Sequence, residues 1–144
     1  MNTPIPTTCQ YISYQEVNSQ ITVNVRFEGD DVWLTQRQIS TLFHTTRENV
    51  GQHIRNIYKR AELQQERTRK DFFLVQKEGA RTVNRNVAHY NMDLIIAVGF
   101  RVNSPLAIQF RQWVAQRRKQ ITIEKTKREK SMNTIIRNQA CICN

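Results

Sequence analysis

A chain of 144 residues is long enough for one domain, or for one domain with a tail. With 39% hydrophobic and 24% charged residues, and no apolar run near the ~18 residues of a membrane span, the composition is that of a soluble globular protein without a spanning helix. The 22 Lys and Arg against 12 Asp and Glu give a formal net charge of +10, which points toward polyanionic partners.

The charge is unevenly spread. From Arg111 to Asn144 there are nine basic and two acidic residues, so the end of the chain carries most of the excess. A second, smaller excess lies between Thr35 and Ala61, where Arg37, Arg47, Arg55, Lys59 and Arg60 face only Glu48. Residues 1–10 hold two prolines and no basic residue, so they read as a disordered start and not as a secretory signal. Cys9, Cys141 and Cys143 are an odd set near the two chain ends, which suits reduced thiols and a cytoplasmic protein.

In chain order, Ile21, Val23, Val25 and Phe27 alternate with polar residues, the period of a strand with one buried face. Glu28 to Asp31 interrupt it before Val32, Trp33 and Leu34, which predicts a β-hairpin. The period then becomes helical. Thr35 with Gln38 is a capping box, and Ile39, Leu42 and Phe43 mark a short helix. His44, Thr45 and Thr46 break it, and Thr46 is positioned to cap a second helix with the apolar stripe Val50, Ile54, Ile57 and Ala61. Small Ser40 is expected where the two helices approach.

Beyond the polar stretch Glu62 to Lys70, Asp71 to Gln76 and Thr82 to His89 flank a Glu78-Gly79 turn signal and predict a second hairpin, in the place of a wing. Asn91 caps a helix through Leu94, Ile95, Ile96, Val98 and Phe100, apolar nearly all round and so expected to be buried, though weakened by Gly99. Ser104 and Pro105 begin a last helix that carries Leu106, Ile108, Phe110, Trp113 and Val114 to about Gln120. From Glu124 the apolar period fades, which predicts a frayed basic tail. Trp33 and Trp113 are expected as core anchors.

Two short helices across a tight turn are the pattern of a helix-turn-helix, whose second helix enters a major groove about 12 Å wide. The expected fold is α+β: a winged-helix-like helix-turn-helix with flanking β-hairpins and two C-terminal packing helices. The turn position, often Gly, is His44, a residue type that tolerates a left-handed backbone. Off the apolar stripe, Arg47, Asn49, Gln52, His53 and Asn56 are the candidate base contacts, because Arg matches guanine and Asn or Gln matches adenine. Thr35, Gln36, Thr46, Arg55 and Lys59 are candidate phosphate contacts, and Lys77 and Arg81 candidate wing contacts. The plainer reading of the same residues is a helical hairpin with a solvated polar face.

No second ligand stands at metal or catalytic spacing from His44, His53 or His89, so no cofactor, metal, small-molecule substrate or enzymatic role is expected. The expected partner is duplex DNA, with a homodimer as the usual arrangement of such a motif although no heptad seam is visible. The rival is a protein-interaction module that does not bind DNA.

Val32-Trp33-Leu34-Thr35-Gln36, Leu42-Phe43, Asn49-Val50, His53-Ile54-Arg55-Asn56-Ile57, Glu62-Leu63, Tyr90-Asn91-Met92-Asp93-Leu94-Ile95-Ile96, Val98-Gly99-Phe100-Arg101-Val102-Asn103-Ser104 and Gln109-Phe110-Arg111-Gln112-Trp113 together resemble the N-terminal region of the RhuM family. The resemblance covers about Tyr11 to Gln120 and extends to phage and viral BRO-type domains. It implies a bacterial, mobile-element or virulence-associated protein with a DNA-binding-like module; a role in transcription regulation is the expectation that the helix-turn-helix adds. After about Lys119 the pattern is lost, so residues 121–144 read as a basic tail, truncated or frameshifted relative to longer relatives.

Overall fold

The alternation around Val23 to Phe27 is a strand in the computed structural model, which describes residues 9–29 and 31–138, with side chains as far as Ile123. The strands are β1 (Gln10–Gln15), β2 (Thr22–Glu28), β3 (Asp31–Thr35), β4 (Arg69–Glu78) and β5 (Arg81–Asn91). The helices are α1 (Gln36–Leu42), α2 (Arg47–Lys59), α3 (Gln65–Thr68), α4 (Met92–Arg101) and α5 (Leu106–Asn138). The fold is thus mixed α/β, with strands and helices in separate layers.

The two expected hairpins are not separate units. β3 pairs antiparallel with β5 through Trp33 opposite Asn91, Leu34 opposite Tyr90 and Thr35 opposite His89. One five-stranded antiparallel sheet results, in the order β1-β2-β3-β5-β4. β1 has no counterpart in the sequence reading, since only Ile12 and Tyr14 alternate there and Tyr11 sits on the opposite face. The expectation of a disordered start over residues 1–10 is corrected at Gln10, which begins β1 opposite Phe27; residues 1–8 lie outside the described residues.

One face of the sheet carries the core. Tyr14, Val23, Val25, Phe27, Val32 and Leu34 meet Ile39 and Leu42 of α1, Val50, Ile54 and Ile57 of α2, Leu94, Ile95 and Val98 of α4, and Phe110 and Val114 of α5 in one cluster. Trp113 closes one end, edge-on to Tyr14 at 4.9 Å and to Phe27 at 5.9 Å. Gly99 is set by packing: a Cβ there would stand 2.6 Å from the Ala107 Cβ and 2.9 Å from Phe43 Cζ, so the junction of α4, α5 and Phe43 excludes any side chain.

Trp33 is buried, but on the opposite face. There it meets Phe72 edge-on at 5.9 Å and lies under the Lys70 ammonium at 5.1 Å, while the Arg26 guanidinium sits 3.8 Å from the Phe72 ring centroid. His89 belongs to this second layer, its Nδ1 donating to the Val87 carbonyl at 2.9 Å. Burial, ahead of the nearby Arg26 charge, pushes its imidazole pKa below the ordinary value.

Asp31 joins the layers at β3. Its carboxylate accepts from the Val32 and Met92 amides and from the Asn91 side chain, at 2.8, 3.2 and 3.1 Å, and so fastens the start of α4 to the sheet. α5 continues to Asn138, well past the end expected near Gln120, and the expectation of a frayed chain from Glu124 is corrected for the backbone of that stretch. No Gly or Pro interrupts residues 106–138, and Lys, Arg, Gln and Glu all favour helix. Residues 139–144, with Cys141 and Cys143, lie outside the described residues.

Candidate nucleic-acid interface

The α1–α2 pair is fixed at each end by local chemistry. The Thr35 hydroxyl accepts from the Gln38 amide at 3.1 Å, and the Gln38 side chain returns the bond to the Thr35 amide at 2.9 Å, completing the capping box. The same Gln38 side chain donates to the Asn24 carbonyl at 2.9 Å and thereby ties α1 to β2. At the other end His44 takes φ +56, while Thr45 bonds back to the Ser40 carbonyl and His44 to that of Thr41. These are the two bonds of a Schellman stop. His44 Nε2 stands 2.7 Å from Glu16 Oε1, which anchors the turn to the loop after β1.

Four residues, Phe43 to Thr46, separate the helices. Thr46 caps α2 by accepting from the Asn49 amide at 3.0 Å. Where the two helices approach, Gly51 faces the Gln36 side chain, and a Cβ there would come 2.7 Å from its Nε2. Ser40, expected at that approach, is buried and donates within α1 to the Arg37 carbonyl at 2.6 Å. Gly51 is a contact that the sequence reading missed. A glycine inside a helical pattern was the available signal.

α2 buries Val50, Gly51, Ile54 and Ile57. Arg47, Asn49 and Gln52 are exposed, while His53 and Asn56 are half-buried and His53 Nδ1 is enclosed without a hydrogen-bond partner among the described residues. At 3.6 residues per turn, Asn49, Gln52 and Asn56 share an arc of about 60°, whereas Arg47 lies about 140° from Gln52, on the side of α1. Arg47 is therefore exposed but apart from the other base candidates. The Asn49 amide donates to the Thr45 hydroxyl at 2.8 Å, and Arg55 donates to Gln52 at 3.1 Å, so two of the polar side chains are held in place.

The phosphate candidates divide in two. Arg55 and Lys59 are exposed cations, whereas Thr35 and Thr46 are engaged as caps and Gln36 donates its amide to the Arg47 carbonyl at 2.8 Å. Among the described residues no ion pair engages Arg37, Arg47, Arg55, Lys59 or Arg60. Glu48 is the single acidic side chain on α2 and sits in its first turn, where the helix dipole favours it. Lys77 and Arg81 flank the tip of the β4–β5 hairpin but project from opposite faces, since Lys77 pairs with Thr82 and Arg81 with Glu78. They do not form one wing contact. Large exposed apolar side chains also lie away from α2, at Phe73 and Val75 on β4 and beside the α4–α5 junction at Ile108 and at Phe100, whose expected burial is thereby corrected.

Residues 67–130 match the model of the Virulence protein RhuM family. The match supports a RhuM family assignment, as the resemblance around Tyr90 to Trp113 implies. The matched segment runs from the end of α3 through β4, β5 and α4 into α5, so the α1–α2 pair precedes it. It also continues beyond Lys119, where the family pattern was expected to end. No curated protein and no solved structure shows significant similarity to the chain. Among the described residues no helix is long and apolar enough to cross a membrane.

Proposed function

We propose that this chain is a virulence- or mobile-element-associated regulator that binds duplex DNA without covalent chemistry, α1 and α2 acting as a helix-turn-helix with α2 in the major groove. One observation carries this reading: α2 is anchored by Val50, Ile54 and Ile57, and across from them it presents Asn49 and Gln52 among Arg55, Lys59 and Arg60. Asn and Gln are suited to adenine edges, and Arg47 reaches outward at the first turn, where recognition helices approach bases closely. Arg55 and Lys59 supply sequence-independent affinity through phosphate. The polar character of this face favours DNA over an apolar protein groove, and a DNA-binding regulator would work in the cytoplasm.

The test is selection from a random duplex pool at two salt concentrations. Wild-type chain is expected to enrich a sequence and to lose affinity steeply as salt rises, while an Arg47→Ala, Asn49→Ala, Gln52→Ala variant loses the enrichment. Equal enrichment by both proteins would reject these residues as readers. A chain ending at Ile123 is expected to keep the selected sequence with reduced affinity, because the basic stretch beyond it adds only nonspecific attraction.

A further inference from the structure

β4 lies at one edge of the sheet, and β3 reaches β5 only from His89 to Asn91, so most of the β4–β5 hairpin runs on as a two-stranded ribbon. On it Phe73 and Val75 are 75% and 70% exposed. The hairpin closes through the two residues Gly79 and Ala80, with Glu78 opposite Arg81. In such a turn the closing pair is hydrogen-bonded, and bonded and non-bonded pairs then alternate along the ladder. Gln76, Leu74 and Phe72 therefore bond to β5. Lys77, Val75, Phe73 and Asp71 direct their N–H and C=O groups away from it, toward the open edge, which is a template for another strand.

The chemistry of that edge is self-complementary about Leu74. Reading outward from Leu74 in the two directions, Phe73 matches Val75, Asp71 matches Lys77 and Lys70 matches Glu78, with Phe72 opposite Gln76 the one unmatched pair between them. We propose that the occupant of this edge is a second copy of the chain, β4 against β4 in antiparallel register around a two-fold axis through Leu74. Phe73 then faces the partner's Val75, Asp71 faces the partner's Lys77, and Lys70 faces the partner's Glu78, each pair occurring twice. All four outward-directed residues fall opposite one another, so the backbone groups pair as well.

Neighbouring registers match less well, through like charges in one and an apolar residue against a charge in the other. Centring on Phe73 sets Arg69 against the partner's Lys77 and Val75 against its Asp71. Centring on Val75 sets Phe73 against the partner's Lys77. Asp71 already lies 3.4 Å from Arg69, and Glu78 2.6 Å from Arg85, but a carboxylate has lone pairs for a second cation. Because the contact uses the same surface on both copies, it closes at two and covers both β4 edges. Lys77 serves this pairing and not a groove.

Sedimentation equilibrium of the full chain over a range of concentrations tests this. Wild type is expected to form dimers. Lys77→Asp places like charges opposite Asp71 twice and raises the dissociation constant at least about tenfold, and the exchange Asp71→Lys with Lys77→Asp restores it. Val75→Pro removes an outward-pointing donor while leaving the β5 ladder intact, and gives a folded monomer by circular dichroism. With Cys9, Cys141 and Cys143 replaced by Ser, Leu74→Cys is expected to form an intermolecular disulfide on mild oxidation, since Cα atoms of a directly opposed non-bonded pair lie ~4.5 Å apart. A wild-type chain that stays monomeric would overturn the pairing. So would Lys77→Asp associating as wild type does, a folded double exchange that stays monomeric, or the absence of the Leu74→Cys cross-link.

Discussion

The α1–α2 pair and the β4–β5 hairpin are both formed from two elements joined through a left-handed turn residue, His44 in one and Gly79 in the other. They differ in what they bury. α2 commits one whole face to the core, so its polar face is a rigid convex surface, whereas the hairpin beyond Asp71 leaves Phe73 and Val75 in solvent and half-buries Phe72, Leu74, Val83 and Val87. An element anchored on one side offers side chains to a partner. A ribbon with an open edge offers backbone as well, and the two surfaces suit different partners, a DNA groove and another strand.

The largest test of that contrast is truncation. Ile57→Ala removes a fully buried side chain and is expected to cost about 2–5 kcal/mol in denaturant unfolding, while Phe73→Ala, measured at a dilution where the chain is monomeric, costs less than about 0.5 kcal/mol. Comparable losses would erase the distinction. Next in size is the helix cap: Thr35→Ala leaves the Gln38 amide without its acceptor and is expected to cost about 1 kcal/mol, read from the same unfolding curves.

The smallest effect lies at the base of the hairpin, at His89. Its folded pKa is below the ordinary 6.5, so the unfolded chain binds the proton more readily. The contribution is fully present above about pH 6.5 and is lost as pH falls toward the folded value. His89→Gln is expected to flatten the slope of stability with pH in that window, and an unchanged slope would assign it to another group.

What was legible in the sequence was local. Thr35 with Gln38, Thr46 and Asn91 cap the helices that their positions predict, because a cap is a contact over three residues. His44 takes the left-handed backbone expected of the turn. The β3–β5 junction joins residues more than fifty positions apart, and no local period announces it. Hence the two hairpins read as independent when they are one sheet, and Trp33, buried as a core anchor should be, packs on the face away from the helices. Alternation identifies a strand but does not say which of its two faces meets the helices. The candidate readers were found by residue type, and the helical period already separates Arg47 from the Asn49–Gln52 arc, but that Gln36 of α1 would bond to the Arg47 carbonyl joins residues eleven positions apart and has no local signal.

The most direct measurement of the account is amide chemical-shift mapping by NMR while a selected duplex is added at moderate salt. Binding through α2 predicts the largest shifts at Arg47 to Asn56 and in the turn before it, with β1 and the α4–α5 junction unmoved. Shifts confined to α5 beyond Lys119, with α2 silent, would contradict it.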